Sequence, residues 1–439
     1  MWGTVNSHRT KKLKNINHNM TSFTFAILAF LLAFSQPATA QKAVFLPDSL
    51  RIYDLNDTTS RWCWQRSAQT DDLVFFWEKG FGDDLANAPQ LDGHDMRVDL
   101  PNLKSRVQHF YRYFRDTLRF TLPGSKADRY KMMVMIHYSL DGTAYGGTYD
   151  NFIGALWVAP NRIQDRKLNC LAHELGHSFQ LQIPADSVGD AWGGSGFFEM
   201  ASQWMLWQVN PDWVKDEYYH FEAFSKLTHK AFLHLDNIYH SPYVLEYWSE
   251  LRGLPSIGEL FRQGRKGEDP VLTYQRLYGL TQQQFCMEMA QCYQHLLNFD
   301  FTHARKETRP YACTFSTPVE ASTKKRWYAP ASGMQPEDYG FNAIRLNPEV
   351  CKRKVSATLR GEGLISGFVA VGTDGQSYYG PLVTDGKPKM ALPKGKQLKA
   401  LYLLVTGAPA VHTKLDYRHP ENNANYPYTF RLSGAEILK

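Results

Sequence analysis

The sequence predicts an α+β fold, in which a mixed sheet joins a helical region and a C-terminal β-sandwich follows. Three observations carry this. Short continuous apolar runs bounded by turn residues fill the first third after the leader, as buried strands do. From Arg162 to about Asp300 apolar residues fall mainly at helical spacing. Beyond Cys313 the pattern changes to short alternating strands, the texture of a two-sheet domain.

Residues 1–40 read as an export signal. They hold Arg9, Lys11, Lys12 and Lys14 and no acid, then an apolar run over 23–34, then Ala38-Thr39-Ala40 before Gln41. Met20 is an alternative start within this leader. A run of about a dozen residues is short for a membrane span, so cleavage is expected, with the product secreted or periplasmic. No Cys follows the cleavage point, which argues against a lipid anchor, and no later segment is apolar enough to span a bilayer after leader cleavage. The formal charge of +6 belongs to the leader: without it, 45 basic residues face 43 acidic ones. A nucleic-acid partner loses its main support.

A chain of 439 residues suits two domains after trimming, expected at 41–315 and 325–439. In the first, Leu73–Trp77, 132–138 and Ile153–Val158 read as strands, the last stopped by Pro160. Leu103, Val107, Phe110, Phe114 and Leu118 keep helical spacing after Pro101, a favoured first-turn residue. Cys170, His173, Glu174 and His177 share one helix, and 197–209 makes another, closed by Asn210-Pro211. Thr281 with Gln284 is a capping box that opens a helix to about Leu297.

A polar linker over 316–323 precedes strands at 355–359, 368–371, 401–405 and 428–432, with Asp374-Gly375 as a hairpin turn. About 115 residues can bury a core of their own, so a chain ending near Ser316 is expected to fold without them. The six cysteines are too sparse for a disulfide scaffold and lack zinc-finger spacing. Cys286 and Cys292 sit six apart on a helix and face different ways. Core packing is their reading.

The chemistry concentrates at His173-Glu174-Leu175-Gly176-His177. Two His four apart leave one helix face a turn apart, so both rings can reach one zinc at about 2.0–2.1 Å. Glu174 is rotated by about 100°, toward a water on the metal and suited to act as base. A chance pattern over a satisfied core pair is the bland alternative, and the helical setting favours metal. A third ligand is needed. Gln180 and Ile183 stand where a metzincin would continue, which excludes that class. Glu199 is the best candidate, in the first turn of a helix entered through Gly193-Gly194-Ser195-Gly196, with Asp186 and Asp190 as competitors on the intervening loop. An acid among Phe and Trp needs a cation partner.

Tyr239 and His240 are candidate donors to a tetrahedral oxyanion, although Tyr-His before Ser-Pro also suits a packed turn. Eleven Trp and 24 Tyr assign no glycan site, because aromatics are ordinary core material. Gly193-Gly194-Ser195-Gly196-Phe197 misses the nucleophile elbow at its last position, and no phosphate or dinucleotide loop is found.

These residues resemble the gluzincin metallopeptidases, and Gly176 with Gln180 is similar to the enhancin and mucin-degrading branch. The stretch from Leu73-Val74-Phe75-Phe76-Trp77 to Tyr239-His240-Ser241-Pro242-Tyr243 resembles an uncharacterised bacterial secreted domain family with the same core, over about 60–315. Asp338-Tyr339-Gly340-Phe341-Asn342 is also similar to it. The resemblance implies a zincin-like catalytic domain, with His173, His177 and Glu199 as zinc ligands and Glu174 as base. It also implies that Gly154-Ala155-Leu156-Trp157 is the edge strand along which extended substrate binds. The acid that many gluzincins place four residues after the third ligand is Gln203 here. The expected activity is zinc-dependent hydrolysis of a peptide or glycoprotein. The rivals are a non-catalytic zinc-containing binding protein working through its β-sandwich, and a zinc amidase acting on cell-wall material.

Overall fold

Apolar runs flanked by turns become the strands of an N-terminal sheet in this computed structural model, which describes residues 41–193, 195–414 and 419–438. The leader call on 1–40 lies outside the described residues. The strands are β1 (Ser67–Gln69), β2 (Leu73–Trp77), β3 (Met132–Ile136), β4 (Ala144–Tyr149) and β5 (Ile153–Val158). Their order is β1-β2-β3-β5-β4. β2, β3 and β5 run parallel, and β1 and β4 pair antiparallel at the two edges. Every residue of β2 and β3 is buried, as in strands covered on both faces.

This order corrects the edge-strand reading of Gly154-Ala155-Leu156-Trp157. Those residues lie in β5, hydrogen-bonded on both sides by β3 and β4, and the edge belongs to β4.

Helix α1 (Leu100–Arg112) starts at Asp99, whose carboxylate accepts from Asn102 N, and continues through a π-helical turn at Tyr113–Thr117. Its predicted apolar stripe is buried from Leu103 to Leu118. Helix α2 (Asn169–Ala185) then lies across β4 and β5, and α3 (Gly196–Val209) packs against α2. Polar bonds fix α2 to the sheet: Ser178 Oγ donates to Ala155 O (2.8 Å), and Gly154 N donates to Gln182 Oε1 (2.9 Å). Helices α4 (Tyr218–Lys226), α5 (Tyr243–Arg252), α6 (Ser256–Gln263), α7 (Pro270–Tyr278) and α8 (Gln282–Leu296) complete this region. The capping box at α8 forms in full between Thr281 and Gln284.

Two antiparallel sheets follow. One has the order β11-β10-β13-β8, from β8 (Phe341–Leu346), β10 (Leu364–Gly372), β11 (Ser377–Tyr379) and β13 (Leu398–Gly407). The other has the order β12-β9-β14-β7-β6, from β6 (Val319–Ala321), β7 (Tyr328–Pro330), β9 (Lys354–Arg360), β12 (Lys389–Ala391) and β14 (Thr429–Ser433). Ile344, Phe368 and Leu403 of the first share a core with Val355, Leu359 and Phe430 of the second.

The tail has a core of its own and is also buried against the rest of the chain. All nine residues of β10 are buried, because the sheet has a second covered face. There Val369, Val371, Tyr402 and Leu404 join the large core that also holds Phe285, Met289 and Tyr293 of α8. Residues 42–439 form one compact unit. The six cysteines are free, with Cys286 and Cys292 buried in the core.

Candidate metal centre

His173 and His177 leave α2 one turn apart, and α3 brings the carboxylate of Glu199 to them. Close approach of the two helices requires Gly176. A methyl group there would sit 2.4 Å from Ser202 Oγ, which already donates to His173 O. Ser195 starts α3 by accepting from Phe198 N, which sets Glu199 in the first turn. The Phe198 ring stacks on His177 at 4.2 Å and 13°.

Three donor atoms converge. His173 Nε2 and His177 Nε2 are 3.0 Å apart, and Glu199 Oε2 lies 3.2 and 3.0 Å from them. The edges of a tetrahedron with bonds of about 2.0–2.1 Å are about 3.3 Å long, so the spacing is of the right size. His177 is nearly buried, and Glu199 is one-fifth exposed.

The surrounding amides decide what these atoms carry. Gln180 Nε2 donates to Phe198 O (2.9 Å), so its Oε1 faces His177 Nδ1 at 2.8 Å and makes that nitrogen the protonated one. Gln203 Nε2 donates to Tyr239 O (3.2 Å), so its Oε1 faces His173 Nδ1 at 3.3 Å with the same result. Both Nε2 lone pairs then point at each other and at a carboxylate. Three acceptors about 3 Å apart repel unless a cation lies among them. The residues fit a divalent metal: two neutral imidazoles with their remote N–H groups held, and one carboxylate.

In the absence of an ion, protonated imidazoles would take its place: burial pushes the Glu199 carboxyl up, but hydrogen bonds and charge from both rings would outweigh it and hold it well below the usual range. Burial raises Glu174 to about 7, against the opposing pull of His173 and of the Gly146 N–H. Glu174 Oε2 accepts from Gly146 N at 2.7 Å, which ties it to β4. Gly146 is needed where it stands, because a Cβ would lie 1.8 Å from Glu174 O.

Of the two candidate oxyanion donors, the structure brings Tyr239 to the centre. Its ring lies 6.0 Å from that of His173, and burial followed by the Glu199 carboxylate pushes its phenol up to about 12. His240 is directed elsewhere. Its Nδ1 lies 2.7 Å from His220 Nδ1, and burial with His220 lowers it to about 4. Neighbouring side chains on an irregular segment point different ways, and only one of this pair faces the cluster of His173, His177 and Glu199.

The loop acids are used structurally. Asp186 accepts from Ser125 Oγ (2.5 Å) and Lys126 N (3.0 Å), and Asp190 accepts from Trp192 N (2.9 Å). Sequence reasoning missed Gln180 as an orienting group and noted Gln203 only as a departure from the resemblance, though their spacings from His177 and Glu199 put each on its neighbour's helix face. It also missed Gly146, although a Gly pair in a strand is a sign of close backbone approach. A second group, Glu246, Glu250 and His303, also comes together. Glu246 is already met by Trp204 Nε1 (2.9 Å), Gln208 Nε2 (2.8 Å) and His303 Nδ1 (3.3 Å).

The site is thus a two-histidine, one-carboxylate centre with an additional carboxylate beside it on the same helix. The chain belongs to the family of unknown function DUF6055, whose model matches residues 36–439. No curated protein matches the chain.

Proposed function

We propose that this protein is an exported zinc-dependent hydrolase, a metallopeptidase cutting peptide bonds in peptides or glycoproteins. Its zincin-like catalytic region would be followed by a β-sandwich. The observation that carries the reading is the convergence of His173 Nε2, His177 Nε2 and Glu199 Oε2 with both Nδ1–H groups committed outward. Zinc held by these three residues would supply Lewis acidity toward a carbonyl and a water. Glu174 would act as the base, accepting a proton from a water at Oε and returning it to the leaving amine. The Tyr239 hydroxyl donates to the oxyanion as it develops.

Edge strand β4 supports a peptide substrate. Ala159 N donates to Thr143 O across the β4–β5 pairing, so the alternate residues Ala144, Gly146 and Thr148 turn their backbone groups away from β5. Gly146 N already reaches Glu174 on that side. An extended chain added to this edge would run past the base.

The test is peptide-library cleavage by the zinc-loaded protein, with and without a chelator, beside Glu174→Gln. Cleavage should stop with chelator and fall by about 10²–10⁴-fold in the variant. Cleavage that survives both treatments would overturn the reading, as would zinc-loaded protein that cuts nothing in the library.

A further inference from the structure

The geometry points to Gln203 as a positioning residue that couples two parts of the centre, the imidazole of His173 and the loop that carries Tyr239. This inference rests on the reading of the centre as a metal site. Gln203 is buried on α3, one turn beyond Glu199, and its amide is used at both ends. Oε1 accepts from His173 Nδ1 at 3.3 Å. One N–H of Nε2 goes to Tyr239 O at 3.2 Å, and the other faces His220 Nε2 at 3.1 Å.

His220 can take that second proton. Its neighbour Glu217 lies 3.4 Å from the same Nε2, but that carboxylate is supplied by Asn169 Nδ2 and Trp213 Nε1, each at 3.0 Å. With Nε2 accepting, His220 carries its proton on Nδ1 and donates to His240 Nδ1 at 2.7 Å. The His220 ring stacks on Trp213 at 5.6 Å and 30°, so the acceptor is fixed in place. Every hydrogen-bonding group of the amide therefore has a partner, and only one orientation of the amide satisfies them all.

A carboxylate at this position would do half the work. It would accept from His173 as well as an amide does, and a charged partner makes an imidazole a stronger ligand. It has no N–H to give, so its second oxygen would face the Tyr239 carbonyl and repel it. Gln203 thus sets the tautomer of one ligand and tethers the Tyr239 backbone through the same planar group.

Gln203→Glu and Gln203→Met separate the two roles. Zinc affinity is measured by chelator competition, the visible spectrum is recorded on the cobalt-loaded protein, and hydrogen exchange is followed over 237–241. There His240 N donates to Asn237 O at 2.9 Å and reports loop opening. Gln203→Met, similar in shape and without hydrogen bonds, should weaken zinc by about 10–100-fold, alter the cobalt spectrum and speed loop exchange. Gln203→Glu should bind zinc at least as tightly as the unaltered protein and still speed loop exchange by about fivefold, the worth of one neutral hydrogen bond. Loop exchange unchanged in Gln203→Glu would overturn the tether, and that comparison holds even if Gln203→Met does not fold. Zinc affinity unchanged in folded Gln203→Met would overturn the orienting role. An unaltered protein that binds no zinc would bring down the metal reading and the His173 half together, while loop exchange still decides the Tyr239 half.

Discussion

Two imidazoles whose Nδ1 protons are committed to amide oxygens have one free lone pair each, and both point at Glu199. Substitutions should therefore sort by which atom they remove. The unaltered protein should hold roughly one zinc per chain and His173→Ala or His177→Ala should lose it; elemental analysis showing unchanged metal would refute the site. Glu174→Gln should retain zinc, because this carboxylate bonds Gly146 N and stands outside the three converging donors. Loss of zinc in that variant would show that Glu174 is a ligand. Glu199→Ala should weaken zinc strongly and Asp186→Ala should not. The second change should instead cost about 0.5–2 kcal/mol, since Asp186 supports the start of the short helix Lys126–Arg129. The histidine pair was legible because i, i+4 spacing on a helix is local geometry. Glu199 was legible because an acid in an apolar first turn needs a cation. The direction of His240 was not, because it depends on His220, twenty residues away.

At the scale of elements, the centre depends on two glycines that let backbones approach. Gly146→Ala would put a methyl group 1.8 Å from Glu174 O and 2.9 Å from His177 Cβ, contacts that only movement of β4 or α2 can relieve. The expected cost is about 1–3 kcal/mol, the usual price of overpacking a tight contact, together with loss of the Gly146–Glu174 bond. A urea midpoint unchanged from the unaltered protein would mean that β4 yields freely and is no fixed rail for a substrate. Most helices and central strands could be read from periodicity, and the capping box at α8 formed as its two side chains require. β4 could not. Ala-Tyr-Gly-Gly-Thr-Tyr has neither a continuous apolar run nor clean alternation, so the apolar β5 looked like the last strand. Strand order is set by long-range pairing, and the identity of an edge is not written into any one segment.

For the whole molecule, the question is how the tail is joined to the rest. Alternation in β9, with its buried and partly exposed residues taking turns, marks one face for the core shared by the two sheets. β10 and β13 differ, being apolar on both faces, and that is the sequence trace of a second covered surface. The surface is α8, whose Phe285, Met289 and Tyr293 share a core with Val369, Val371, Tyr402 and Leu404. Polar bonds cross the same seam: Tyr293 Oη donates to Tyr339 O (2.6 Å), Gln294 Nε2 to Gly380 O (3.0 Å), and His412 Nε2 meets Asp269 Oδ2 at 2.7 Å. A chain ending near Ser316 would uncover all of this at once. Each large apolar side chain returned to water forfeits about 1.5–3 kcal/mol, and several together rival the roughly 5–15 kcal/mol that holds a domain folded. The truncated chain is therefore expected to aggregate or unfold at a far lower urea concentration than residues 41–439, and to lose zinc with its fold. The check is to express both chains and compare urea midpoints and bound zinc. His412→Ala in the full chain serves as a milder probe, expected to lower the midpoint because Asp269 Oδ2 loses its partner and Tyr339 Oη keeps only Gln282 Nε2. A truncated chain with the midpoint and zinc content of the full one would show that the seam contributes little, and that α8 is stable with its apolar face in water.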